Sequence, residues 1–291
     1  MHPAPSVIIF STLSGLGFGL LFWLGIDLTP PTGGVAFAFF FIGFALAVGG
    51  LLSSTFHLGH PERAWRALSQ WRTSWLSREG VCAVAALCVC GLYALCLIFF
   101  ASHIAFLGWL GALLSLLAVF TTSMIYAQLD TVPRWKTPLT PALYLSFSLA
   151  GGTLLSGRTT IAIALLTAAA AIQILWWLRG DNALKDSGTD MGTATGLGER
   201  GTVRSMAHPH TAPNYLVKEF IYIIGRKHAQ KLRVIAFVLT FALPLVILAL
   251  LPFSHILAAV AVLSHIAGVA TSRWLFFAEA EHVVGLYYGM R

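Results

Sequence analysis

The 291-residue sequence is 57% hydrophobic and only 10% charged, with a mean hydropathy of +0.81. Too little polar surface remains to cover a water-soluble globule, which excludes soluble enzymes and nucleic-acid-binding modules and reads as an integral membrane protein. The excess of 18 basic over 11 acidic residues, a formal charge of +7, then becomes a question of which side of the membrane the basic residues occupy.

Lipid offers no hydrogen bonds to a backbone, so spanning segments are helices or a closed barrel, and apolar runs near twenty residues select helices. Eight such runs occur in chain order, at 6–26, 35–58, 81–101, 104–129, 139–157, 159–178, 234–251 and 254–277. The first lacks a basic flank and a small-residue cleavage signal, so it is taken as helix one rather than a signal peptide. The fold expected is all-α: one polytopic membrane domain over 1–291, an eight-helix bundle.

The links after helices one, three, five and seven are short, and 27–34 carries the turn-forming TPPTGG. The links after helices two, four and six hold Arg63, Arg66, Arg72 and Arg78, then Arg134 and Lys136, then nine more from Arg179 to Arg233, Arg226 among them. Opposite them stands only Arg158. This asymmetry predicts that the three basic loops and both termini lie in the cytoplasm, at a bacterial inner membrane.

Within helix three, Cys82, Cys88, Cys90 and Cys96 have no CxxC spacing, and Cys88 and Cys90 point to different faces, so they read as small buried thiols. The long loop 179–231 begins Gly-, Thr- and Ser-rich; 215–233 then reads as an interfacial helix leading into helix seven. GLGERG at 196–201 matches GxGxxG, yet nothing strand-like precedes it, so it carries no nucleotide site. His208 and His210 read as a solvated loop.

Chemistry concentrates in HLGHPERAWRALSQWRTSWLSREG, residues 57–80. His57 closes helix two just below the headgroups. Pro61 suits the first turn of a short interfacial helix that turns Trp65 and Leu68 to lipid and Arg63 and Arg66 to water. Ser77 is read as the N-cap of helix three, which sets Glu79 in its first turn, where the macrodipole favours an ionised carboxylate. A histidine, a carboxylate and several arginines thus converge at one membrane boundary; arginine–carboxylate scaffolding is the plainer reading of the same residues.

Oxidation of a lipid-soluble quinol releases two electrons and two protons. Its site needs an apolar slot, a hydrogen-bond partner for the hydroxyl and a proton acceptor with an exit to water. An imidazole of pKa about 6.5 backed by a carboxylate meets that need. Asp130, on the same side, reads as a second proton carrier or a structural partner for an arginine. Arg273, with Trp274, Phe276 and Phe277, reads either as the wall of a ring slot or as a snorkelling arginine in an aromatic belt. Two rival classes are weaker. A haem protein needs paired histidines at one depth, and His265 alone lies well inside a span. A transporter needs broken helices, for which Gly151–Gly152 and Pro244 are the candidates.

The pattern HLGxPxRAxxxLxxxxxSxLSxE, running from His57 to Glu79, resembles the membrane-anchor subunits of dimethyl sulfoxide reductase. DTVPxW at Asp130–Trp135, the TP that follows, and an arginine followed by aromatics in the last helix carry the same resemblance. It implies a quinol-interacting subunit, for menaquinone or ubiquinone, that anchors a molybdopterin catalytic subunit through an iron–sulfur subunit and holds no redox centre itself. It further implies quinol-binding roles for His57 and Glu79, and for Gly59 and Arg63. On the residues themselves, His57 is expected to hydrogen-bond the ring oxygen, Glu79 to relay a proton, and Arg63 and Arg78 to tune their charge. Two features depart from the family pattern: the long loop 179–231, and Val269 where a glutamate often precedes the last-helix arginine. Similar anchors serve sulfite-oxidising enzymes that feed electrons into quinone, so the resemblance leaves the substrate and the direction of electron flow open.

Overall fold

A computed structural model describes residues 1–207, 214–222 and 227–288, and only the backbone of His57. Arg226, His208 and His210 lie outside the described residues. Eight principal helices follow one another: α1 Pro5–Gly25, α2 Gly33–Ser53, α3 Trp75–Phe100, α4 Ala105–Ala127, α5 Leu139–Leu155, α6 Thr159–Gly180, α7 Ala229–Leu250 and α8 His255–Ala278. Seven are long and apolar enough to cross a membrane, and α5, apolar but only 17 residues long, is shorter. The protein is a multi-pass, all-helical membrane protein.

Helix starts differ from the apolar runs in an informative way. α3 begins six residues early and α7 five residues early, because their first turns contain Ser77, Arg78 and Glu79, or Gln230, Lys231 and Arg233, which hydropathy discounts although they are helical. The interfacial helix expected over 215–233 is not continuous. A short helix covers Tyr215–Phe220, and the chain then turns extended at buried Ile221 before α7.

α1 is the central post and packs on α2, α4, α5 and α8. At its crossing with α5, Gly19 meets Gly152 so closely that a Cβ on either would overlap the other helix's backbone. The Gly151–Gly152 pair therefore serves helix packing, and α5 runs through it unbroken. Pro244 does perturb α7, which holds a π-helical segment at Val238–Ala242. Lacking an N–H, Pro244 leaves the carbonyl of Thr240 without its helical donor. Buried His265 supplies one: its Nδ1–H donates to that carbonyl at 2.9 Å. The lone histidine well inside a span thus repairs a proline-bearing helix.

One end of the bundle gathers the termini and the basic loops. The Met1 ammonium donates to the Ala280 carbonyl at 3.0 Å, and the Val283 N–H donates to the Thr131 carbonyl at 2.9 Å. At the opposite end Arg158, the lone basic residue there, pairs with Asp27 at 2.6 Å over the Trp23 ring.

Candidate functional site

At the basic end, a cavity of about 660 Å³ opens between the start of α1, the end of α2, the segment Pro61–Gln70, the first turns of α3 and the last turn of α4. That volume lies in the ordinary range for small-molecule sites, roughly 300–1,000 Å³. Gly59, Arg63 and Glu79 all line it. His57 ends the single 3-10 turn Ser54–His57, between cavity-lining Thr55 and Leu58; its side chain lies outside the described residues.

Pro61–Gln70 is a ten-residue 3-10 helix, long for that type. Its three-residue period aligns Ala64 with Ala67 on the edge that faces the cavity. Leu68 lines the cavity too while staying 38% exposed, and Gly80 offers a notch for it: a Cβ on Gly80 would stand 2.6 Å from Leu68 Cδ2. Arg63, expected in water only, also borders the cavity while remaining largely exposed. Trp65 and Arg66 do lie at the surface, with the guanidinium 5.5 Å from the indole centroid.

The cap assigned to Ser77 needs correction. α3 starts at Trp75 with Ser74 in the N-cap position and no side-chain cap, so Ser77 is inside the first turn and buried. Glu79 consequently sits one step deeper, 5% exposed, and is not a solvated carboxylate on a helix end. Its partner is on α4: the Thr122 hydroxyl donates to Glu79 Oε1 at 2.5 Å. One turn further along α4, Tyr126 enters the same cavity wall.

The remaining candidates lie elsewhere. The guanidinium of Arg78 donates to the carbonyls of Trp71 and Arg72 at 3.0 and 2.7 Å and rests 4.3 Å from the Trp75 ring centroid, tying off the 3-10 helix. Asp130 is exposed and pairs with Lys136 at 2.5 Å, away from the cavity. Arg273 is buried in α8 with its guanidinium 3.4 Å from the Tyr144 ring centroid; Tyr144 stacks on Tyr126, so two phenol rings separate Arg273 from the cavity. Phe276 and Phe277 face no slot. They pack on Tyr126 and Trp135, and the Trp135 indole N–H donates to the Phe276 carbonyl at 3.0 Å.

Sequence reasoning missed Thr122 and Tyr126, which share a helix with the hydroxyls of Ser115, Thr121 and Ser123, so that their spacing of four residues gives little signal. It also missed a charged cluster behind the site. Arg134 reaches Glu279 at 2.6 Å and Asp181 at 3.1 Å, and Arg233 reaches Glu279 at 2.6 Å and Asp181 at 2.5 Å. The cluster ties the α4–α5 loop to the ends of α6 and α8 and the start of α7. Partial burial works to raise the Asp181 pKa, but the hydrogen bond from Arg233 and the charges of Arg134 and Arg233 outweigh it and hold the carboxyl below its ordinary 3.8. A depressed folded-state pKa supplies stability above the unfolded value and loses it as pH falls through the folded one. Asp181→Asn should therefore flatten the acid limb of a detergent-solubilised melting curve against pH while leaving the neutral-to-alkaline limb parallel to that of the parent; an unchanged acid limb would refute this.

The family model for the DMSO reductase anchor subunit (DmsC) matches residues 2–290. One sulfite dehydrogenase subunit, from Allochromatium vinosum, is 32% identical, with 99% of this chain and 99% of that protein covered. No solved structure matches.

Proposed function

The chain belongs to the DMSO reductase anchor subunit family, and on that premise we propose that it binds quinone in the cavity between the end of α2 and the start of α3 and passes electrons between the membrane quinone pool and an iron–sulfur partner of a molybdopterin enzyme. The observation that carries this reading is a largely apolar cavity with one buried carboxylate, Glu79, in its wall and one arginine, Arg63, at its mouth. A flat, lipid-soluble ring fits such a lining, and a ring hydroxyl would find Glu79 as its proton acceptor. In quinol oxidation the O–H bonds break, two protons pass to side chains of the wall and on to water, and two electrons leave to the partner. His57, next to the cavity in the chain, is assigned the hydrogen bond to the ring oxygen. Gly59 keeps the mouth free of a side chain. The basic end of the bundle is the docking face, turned to the cytoplasm of a bacterial inner membrane.

The relation to a sulfite dehydrogenase favours a second reading, in which a sulfite-oxidising partner drives the same cavity in reverse and the wall delivers protons to a quinone. Both readings use the same residues. With the intact complex, supplying sulfite or a sulfoxide and recording whether the clusters are reduced or reoxidised distinguishes them. His57→Ala should weaken quinone-analogue binding to the assembled complex tenfold or more, a loss of about 1.4 kcal/mol or greater; unchanged analogue affinity and unchanged quinol turnover would overturn the site assignment.

A further inference from the structure

Glu79 and Thr122 form a buried pair joining α3 to α4, and the hydroxyl has a second acceptor. Thr122 Oγ1 lies 2.5 Å from Glu79 Oε1 and 2.9 Å from the Ala118 carbonyl one turn back on its own helix. Both side chains are buried, Glu79 at 5% and Thr122 at 7% exposure. A hydroxyl has one hydrogen and two lone pairs, so it cannot donate to both acceptors at once. Two arrangements satisfy the geometry. With Glu79 ionised, Thr122 donates to the carboxylate. With Glu79 protonated, the acid O–H donates to Thr122 Oγ1 and the hydroxyl turns its hydrogen to the Ala118 carbonyl. Neither arrangement leaves the buried carboxyl without a partner, and the heavy atoms need not move.

We propose that Thr122 is the positioning residue that holds Glu79 in one geometry through both of its protonation states. The proposal rests on the reading of Glu79 as the proton acceptor of a quinol site. In that step one quinol O–H bond breaks and its proton joins Glu79 Oε1, the Thr122 hydroxyl rotates from the carboxylate to Ala118, the second hydroxyl's O–H bond breaks and its proton leaves through the cavity mouth to water, and the two electrons leave to the iron–sulfur partner. Fixed donors that need no reorganisation are what a buried transfer site requires. Few other charges face Glu79. From α4 there is Tyr126, from α5 Tyr144 behind it, from its own helix Cys82, and at the cavity rim His60, just before the 3-10 helix, and Arg63 within it; the cavity-lining side chains of α1 and α2 are non-titrating. Thr122 is the hydrogen-bond partner seen for the carboxyl among the described residues.

The test uses Thr122→Val, which keeps the shape and removes the hydroxyl, and Thr122→Ser, which keeps the hydroxyl, both in the assembled complex. Infrared difference spectra, with Glu79→Gln to assign the band, read the Glu79 carboxyl directly and do not depend on quinone. The valine variant should shift the protonated-carboxyl stretch to that of a free acid and lower quinol turnover roughly tenfold or more, chiefly in kcat. The serine variant should restore both to within about threefold. A carboxyl band unmoved by valine, or a serine variant as impaired as valine, would overturn the proposal. A band that shifts as expected in a complex that binds no quinone analogue would support the role of Thr122 and sink the quinone reading instead, so the two fail separately.

Discussion

Glu79→Gln is expected to cost quinol turnover about two to four orders of magnitude while leaving quinone-analogue binding within a few-fold of the parent. Glutamine has the same length and shape, and its amide oxygen still accepts from the Thr122 hydroxyl at the position Oε1 now occupies. What it lacks is the capacity to take up a proton, and proton transfer by a positioned side chain contributes typically 10²- to 10⁴-fold. Binding rests on different features, the apolar lining contributed by Leu51, Leu58, Leu68 and Ile125 and the guanidinium of Arg63. The effect should therefore appear in kcat and not in KM. Stopped-flow oxidation of a quinol analogue by the assembled complex would measure it, with thermal melting as the control for folding. Turnover within threefold of the parent would remove Glu79 from the proton path.

The apolar helices, and the gathering of the basic loops at one end of the bundle, were legible because both rest on composition. Apolar runs mark the helices, and arginines such as Arg63 and Arg134 mark one side whatever else they do. The same property hid much of the site. Hydropathy places the start of α3 after Glu79, at residue 81, because Ser77, Arg78 and Glu79 are polar; the helix begins at Trp75 and carries the carboxylate inward. Nothing local shows that Glu79 is buried, since its partner Thr122 stands 43 residues away on the next helix.

Arg78 and Asp130 show the converse limit of composition. Each is a charged residue near the right boundary, and each is engaged locally, Arg78 on the carbonyls of Trp71 and Arg72 just past the 3-10 helix and Asp130 on Lys136. For Arg273 the sequence left a ring-slot wall and a snorkelling arginine open, because whether it meets a cavity, lipid or a neighbouring helix depends on Tyr144 and Phe147, which come from α5. Such cross-helix partners are a property of the packed bundle and leave no pattern within one segment.

The largest loss of stability should follow Glu279→Ala. Glu279 is 6% exposed and accepts from Arg134 and Arg233 at 2.6 Å each, while Arg134, itself 7% exposed, lies 4.9 Å from the Trp176 ring centroid. Removing one member of a buried ion pair leaves the other charge unpaired in a poorly solvated place, which typically costs about 3–5 kcal/mol. Here the charge left under-compensated is chiefly Arg134, which is buried and keeps a single 3.1 Å hydrogen bond to Asp181, whereas Arg233 keeps two. The cluster joins segments 145 residues apart in sequence, so the loss should loosen the basic end as a whole, including the α4–α5 loop and the C-terminal segment paired to it through Thr131 and Val283. Replacing both partners, Arg134→Met with Glu279→Leu, removes the unpaired charge along with the pair and should recover most of the stability, since apolar replacement of a buried pair is often neutral or better. Equilibrium unfolding by denaturing detergent in mixed micelles would compare the three proteins. A Glu279→Ala loss below about 1 kcal/mol, or a double variant no better than the single one, would show that the cluster is not a buried latch.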